Sequence, residues 1–169
     1  MRIFLASFLL VALLSAGCAH YQLGNASRNL PFQTLYVKPV INRSFAPQAQ
    51  ALLSDQLRRA LQQEGNITIV SDEASADATL EVVLTDYSRT ILSTSDQDTY
   101  LANSYLLELT AQCTLAHNLL TVIYFYEKPV TATVQVQVGD SLVSSEYQNM
   151  PVLTRQLATR INNLVISSW

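Results

Sequence analysis

The sequence predicts an α+β fold, a two-layer sandwich in which two helices pack on one face of a four- to five-stranded, mainly antiparallel sheet. Apolar and polar residues alternate with the period of a strand over residues 105–115 and 130–138. Apolar residues recur with the period of a helix over residues 49–61 and 150–164. Because the helical segments flank a run of strands, we expect them to form one layer over the sheet.

The first strand and the first helix follow from local patterns. Leu35 and Val37 alternate with polar neighbours, and we expect the strand to end at Pro39 because proline cannot donate a hydrogen bond to a sheet ladder. Pro47 is placed for the first turn of the helix, and Gly65 supplies a left-handed residue that ends it. The apolar stripe of this helix comprises Ala49, Leu53, Leu57, Ala60 and Leu61.

The central strands come next. Residues 67–70 form a short strand, and a longer one begins at Thr79, with Leu80, Val82 and Leu84 on one side, and continues to Leu92. The following strand has the clearest alternation in the chain. We therefore expect Cys113 to be a buried small apolar residue and not a redox group. Its predicted core face comprises Tyr105, Leu107, Leu109, Ala111, Cys113 and Leu115.

The last third of the chain predicts more strand and then a helix. Residues 122–126 and 130–138 favour strands, and Pro129 between them predicts a bulge or a sheet edge. We expect the final helix to begin near Asn149, with Pro151 in its first turn. Its apolar stripe comprises Met150, Leu153, Leu157, Ile161 and Leu164.

The N-terminus predicts export and lipid attachment. Arg2 precedes an apolar run over residues 3–14, which is shorter than the roughly 20 residues of a membrane span. Ser15-Ala16-Gly17 then precede Cys18, an arrangement that resembles a bacterial lipobox, although Ser15 stands where Leu is usual. We expect residues 1–17 to be a signal peptide, 18–32 a lipidated tether on Cys18, and 33–169 a single domain. The alternative is a plain secretory signal followed by an incidental cysteine.

Composition and motifs exclude several classes of function. The chain carries 10 Lys and Arg against 13 Asp and Glu, without a basic run, so no nucleic-acid partner is expected. The two histidines, His20 and His117, have no second ligand at metal-binding spacing. Four scattered glycines cannot form a phosphate cradle, and no nucleophile motif occurs. We therefore expect no enzymatic activity, no metal site and no cofactor.

Five segments occur in a recognisable order along nearly the whole mature chain. They are Cys-Ala-His-Tyr-Gln-Leu-Gly at 18–24, the strand, Asn-Arg-Ser and helix entry at 35–47, Ala-Asp-Ala at 76–78 before a strand, the alternating strand at 105–115, and Val-Gly-Asp-Ser-Leu at 138–142 before the last helix. In this order, behind a lipobox, they resemble the LptE-like lipopolysaccharide-assembly lipoproteins.

This resemblance implies a function. It predicts an outer-membrane lipoprotein, facing the periplasm, that plugs and helps assemble an LptD-like β-barrel and contacts lipopolysaccharide. The family's basic ligand contacts lie near the end of the sheet, but residues 93–103 contain no Lys or Arg. Arg89 and Lys128 are the nearest basic positions and are the candidate ligand-binding residues. The alternatives are another envelope adaptor lipoprotein, such as a barrel-assembly or secretion-channel component, and a free periplasmic domain with a binding or catalytic role.

Overall fold

The computed structural model describes residues 30–63, 65, 67–94, 102–138 and 141–167. The predicted signal peptide, Cys18 and most of the tether lie outside the described residues, as does most of the polar segment at 93–103. The lipidation of Cys18 and the domain boundaries therefore stay predictions.

Two helices pack against a mixed, mostly antiparallel sheet of six strands, which confirms the predicted fold class. The sheet order is β3-β1-β4-β5-β6, and β2 also pairs with β4. The pairs made by β1 and β2 are parallel, whereas β4–β5 and β5–β6 are antiparallel. The strands are β1 (Thr34–Val37), β2 (Ile41–Asn42), β3 (Thr68–Val70), β4 (Ala78–Thr94), β5 (Ala102–His117) and β6 (Ile123–Gln137); the helices are α1 (Ala49–Gln63) and α2 (Leu142–Ser167).

The core lies between the helices and one face of the sheet. The alternation predicted for β5 is confirmed, because Leu107, Leu109, Ala111, Cys113 and Leu115 are fully buried. Burial raises the pKa of the Cys113 thiol to about 12, so this side chain stays protonated at neutral pH and is a poor nucleophile. The helices meet this face through Leu53, Leu57, Leu61, Leu153, Leu157 and Ile161.

Pro39 interrupts the first strand but does not end its pairing with β4. The Lys38 amide donates to the Leu80 carbonyl at 2.9 Å, and the Arg43 amide donates to the Leu84 carbonyl at 2.9 Å. Residues on both sides of the proline thus pair with the same neighbour, β4. Strand β1 therefore ends before Pro39, as predicted, and β2 is a second short strand that the sequence did not predict.

Two of the short motifs noted in the sequence have structural roles. The Asn42 side-chain oxygen accepts hydrogen bonds from the Ser44 amide and hydroxyl at 2.9 and 2.7 Å, and its side-chain nitrogen donates to the Ala46 carbonyl. These bonds shape the loop before α1. In the second motif, the Asp77 carboxylate accepts from the amides of Gln33 and Thr34 at 2.9 and 2.8 Å, and so fixes the start of the domain.

The two proline predictions for helix starts are wrong. Pro47 lies in a turn before α1, which begins at Ala49 after Gln48 adopts a φ of 57°. Helix α2 begins at Leu142, so Pro151 lies inside it. The Asn149 and Thr154 side chains donate to nearby carbonyls of Ser145 and Met150, at 2.8 Å each, close to the position where proline cannot donate. Gly65 is left-handed as predicted, with a φ of 70°.

The expectation for Pro129 is confirmed. Residues 123–137 form one strand at the edge of the described sheet, and Pro129 pairs opposite Gln112. The register shifts just before it, where Glu127 has a φ of 45° and donates its amide to the Thr114 hydroxyl. Arg160 of α2 donates to the Thr131 carbonyl of this edge strand.

We predict that Asp77 makes the stability of the domain depend on pH. The backbone hydrogen bond from Thr34, and then that from Gln33, hold the pKa of Asp77 below its ordinary value of 3.8. A carboxylate whose pKa is lowered on folding contributes stability that is fully present above pH 3.8 and is lost as the pH falls through the lower, folded-state pKa. Asp77→Asn should therefore be less stable than the wild type at pH 7, and the difference should shrink below pH 3.8.

Urea unfolding, followed by circular dichroism between pH 7 and pH 2.5, measures this difference. Asp86→Asn is the matched control because Asp86 is an exposed carboxylate on β4. A gap between wild type and Asp77→Asn that stays constant down to pH 2.5 would contradict the assignment.

Candidate functional site

A β-bulge in β4 decides which of its side chains face the helices. Up to Leu84 the even-numbered residues are buried under the helices. Thr85 and Asp86 then stand opposite the single residue Thr110, and the register continues with Tyr87 opposite Leu109. Since an inserted residue reverses the alternation, Tyr87 and Arg89 face the helix layer in place of Asp86 and Ser88.

The bulge brings Tyr87 and Arg89 to a buried carboxylate on α2. The Tyr87 hydroxyl donates to Glu146 Oε1 at 3.0 Å, and Arg89 Nε forms an ion pair with the same oxygen. The Arg89 guanidinium also lies 5.7 Å from the centroid of the Tyr87 ring. The Glu146 side chain is only 4% exposed and that of Arg89 is 46% exposed. The buried carboxylate is therefore neutralised by a guanidinium that is itself partly in solvent.

Burial and the neighbouring carboxylate also act on Tyr87. Desolvation, followed by the hydrogen bond to Glu146, raises the pKa of Tyr87 to about 12. The phenol is therefore protonated at physiological pH and serves as a hydrogen-bond donor. These three residues hold the first turns of α2 against β4 and bring no activated nucleophile into solvent.

The structure does not bring the two predicted ligand-binding residues together. Arg89 pairs opposite Leu107 of β5, and Lys128 pairs opposite Cys113. Leu107 and Cys113 are six residues apart along the extended strand β5, which is about 20 Å. Lys128 is exposed on the edge strand β6, whereas Arg89 is paired with Glu146. We call Tyr87, Arg89 and Glu146 the Glu146 cluster. They are two separate positions and not one pocket.

Glu146 was missed in the sequence. It is the only charged residue between Ser141 and Thr154, and it occupies a helix-stripe position next to Met150. Such a lone acid on an apolar stripe predicts a buried partner. Glu146 was not recognised as part of this helix because Pro151 predicted a helix start near Asn149, which is after Glu146.

The other face of the sheet is uncovered in the described part of the chain and carries mostly uncharged polar groups. Thr110 and Thr131 join across strands β5 and β6 through their hydroxyls at 2.9 Å. A pocket of about 290 Å³ lies on this face between Arg43, Glu81, Gln112 and Tyr126. We call this surface the open face; its residues on β4, β5 and β6 are Glu81, Val83, Asp86, Ser88, Leu106, Glu108, Thr110, Gln112, Thr114, Thr131, Thr133 and Gln135.

Within the described residues, no three His, Cys, Asp or Glu side chains lie close enough together to hold a metal ion. None of the described helices has the length and apolar character needed to cross a membrane.

Known proteins of similar fold include lipoproteins. The uncharacterized lipoprotein B of Nitrosomonas europaea is 14% identical with a TM-score of 0.58, over 88% of this chain and 91% of that one. A minor lipoprotein of Acinetobacter baumannii is 17% identical with a TM-score of 0.54, over 80% and 93% of the two chains. At these identities the likeness shows a shared fold.

The sequence comparisons give the family. No curated protein matches the chain. A sequence model of the LptE family, described as lipopolysaccharide-assembly, matches residues 32–165. This match spans all six strands, α1 and all but the last two residues of α2, and it covers well over half of the sequence, so the chain belongs to the LptE lipopolysaccharide-assembly family.

Proposed function

We propose that this chain is an outer-membrane lipoprotein that occupies the lumen of an LptD-like β-barrel, helps that barrel to assemble, and takes part in delivering lipopolysaccharide to the outer leaflet. Membership of a family of non-catalytic lipoproteins for lipopolysaccharide assembly supports this proposal. The fold adds support, because lipoproteins are among the known structures that resemble it.

The open face is the observation that carries the plug role. The lumen of a large outer-membrane barrel is polar but walled by protein. Threonine and glutamine side chains offer hydrogen bonds to such a wall, and they cost less to desolvate than charged side chains. One layer of helices buries the apolar face of the sheet, which leaves the polar face for the partner.

The anchor in this proposal is Cys18. Acyl chains contribute about 0.8 kcal/mol per buried CH₂, and two or more chains give stable attachment to a membrane. Acylation on Cys18 therefore supplies the membrane affinity, and the domain faces the periplasm and the barrel lumen. Ala19 after the cysteine is compatible with sorting to the outer membrane.

Arg89 and Lys128 are the proposed contacts to lipopolysaccharide. Guanidinium and ammonium groups pair with phosphate, and both side chains reach solvent, Arg89 in part and Lys128 more fully. A phosphate at Arg89 would have to share the guanidinium with Glu146. The two contacts would act independently because about 20 Å of strand separates them.

We predict that affinity purification of the tagged wild-type chain recovers a large LptD-like barrel. Thr133→Trp places a bulky side chain on the open face and should reduce the recovered barrel at least tenfold. Gln156→Trp on the exposed side of α2 is the matched control and should reduce it less. Recovery of a different channel, or of no barrel, would contradict the plug role.

We predict that a fatty-acid analogue labels the wild-type chain in cells and that Cys18→Ala abolishes the label. Mass spectrometry of the mature N-terminus checks the cleavage site after Gly17. An unlabelled wild-type chain that begins at another residue would show that the signal is a plain secretory one.

We predict that Lys128→Gln and Arg89→Gln each weaken binding of purified lipopolysaccharide several-fold, measured by fluorescence titration. Glu146→Gln is the control for the structural role of Arg89, because it removes the negative partner and leaves the guanidinium in place. Binding should survive in Glu146→Gln. If Arg89→Gln and Glu146→Gln lose binding equally, the arginine acts only through the fold.

A further inference from the structure

The turn between β5 and β6 exposes a cluster of large apolar side chains. Leu119 is 79% exposed, Leu120 66% and Ile123 61%, and Val122 is also exposed. Turns between paired strands usually carry Gly, Asn, Asp or Ser, because those residues suit the backbone and are well solvated. We call residues 119–123 the apolar turn. Adjacent exposed apolar side chains of this size mark a contact surface.

The apolar turn has a defined conformation. His117 Nδ1 accepts hydrogen bonds from the amides of Leu119 and Leu120 at 3.1 and 3.2 Å, and the His117 amide donates to the Val122 carbonyl at 2.7 Å. Thr121 has a φ of 54°, which is sterically costly for a β-branched residue. The fold therefore holds the two leucines outward.

Asn118 connects this turn by hydrogen bonds to the segment that leads into β4. Its amide donates to the Asp77 carbonyl at 2.7 Å, and its side chain donates to the carbonyls of Glu73 and Ala76 at 3.0 and 2.9 Å. The Asn118 side-chain oxygen accepts from the Thr79 hydroxyl at 2.9 Å. The apolar turn is thus rigidly attached to the segment that also binds the start of the domain through Asp77.

The tether joins the domain next to the apolar turn. The Phe32 ring lies 5.8 Å, centroid to centroid, from the ring of Tyr124, which directly follows the turn. Asp77 holds the amides of Gln33 and Thr34. Residue 30 is only twelve residues from Cys18, which is at most about 40 Å of extended chain. An acyl anchor on Cys18 would therefore keep the turn within reach of a membrane surface.

We propose that the apolar turn inserts into the lipid surface of the membrane that holds the acylated Cys18, and so fixes the orientation of the domain. The inference rests on the proposed lipid anchor. Asp72 and Glu73 lie beside Leu119 in a surface pocket. Glu73 is paired with Lys38 at 3.4 Å, whereas Asp72 has no such ion pair among the described residues and keeps this surface negative. Because the Asp72 carboxylate repels anionic headgroups, the surface that fits is a zwitterionic one, and the contact is apolar and insensitive to salt.

The test places a probe on the turn of the full acylated chain. Leu119→Cys is labelled with an environment-sensitive fluorophore and reconstituted in phosphatidylcholine vesicles; Gln156→Cys on α2 is the matched control. Cys113 is buried, so the label is specific. Emission at 119 should shift to the blue and be quenched at least threefold by spin-labelled lipid between 0.1 and 1 M salt, and emission at 156 should not. A probe at 119 that stays in water on vesicle-bound protein would overturn the inference.

A second measurement separates this inference from the lipid anchor. Cys18→Ala removes the acylation site, and this chain should partition into phosphatidylcholine vesicles at least tenfold more strongly than Cys18→Ala that also carries Leu119→Ser and Leu120→Ser. This result stands even if the wild type is not acylated. Equal partitioning of the two chains would overturn the inference. So would shielding of the probe that requires the barrel, or that grows with protein concentration in the absence of vesicles.

Discussion

The fold depends on one inserted residue in β4. This strand pairs on one side with β1 and β2 and on the other with β5, and its first half buries the even-numbered side chains. Continuing that alternation would turn Asp86 and Ser88 towards α2, where a second carboxylate would face Glu146. The bulge at Thr85–Asp86 instead presents a phenol and a guanidinium to Glu146, which gives the buried carboxylate a donor and a counter-charge.

As a result, the two faces of the sheet have different roles. The helix-facing side holds the core and the Glu146 cluster, and so contributes the stability of the domain. The open face does not pack against the helices, so its threonine and glutamine side chains are free to contact a partner. Membership of the LptE family and the polar open face both support the proposed plug role, because the lumen wall that a plug would contact is polar.

The sequence predicted the fold wherever burial follows a simple period. Strand β5 keeps one period from Leu107 to Leu115 and helix α1 from Ala49 to Leu61, and both stretches were predicted well. The start of α2 was not predicted correctly, because its buried positions there are occupied by the polar residues Ser145 and Glu146 and because a proline such as Pro151 is typical of the first turn of a helix. The bulge in β4 has no signal in a single sequence, so the contact between Arg89 and Glu146 could not be foreseen. The exposure of the apolar turn could not be predicted from the sequence, since exposure is a tertiary property.

The length of the paired strands β4 and β5 has a geometric consequence. The 17 residues of β4 extend over about 55 Å, whereas a bilayer with its headgroups is about 40–45 Å thick. The apolar turn and the start of the domain lie at one end of this pair, and the exposed residues 90–94 lie at the other. For a domain held at one membrane surface by its turn, with its strands along the membrane normal, the strand pair is long enough for its far end to reach the opposite surface. A flexible loop of the same length could not fix that distance.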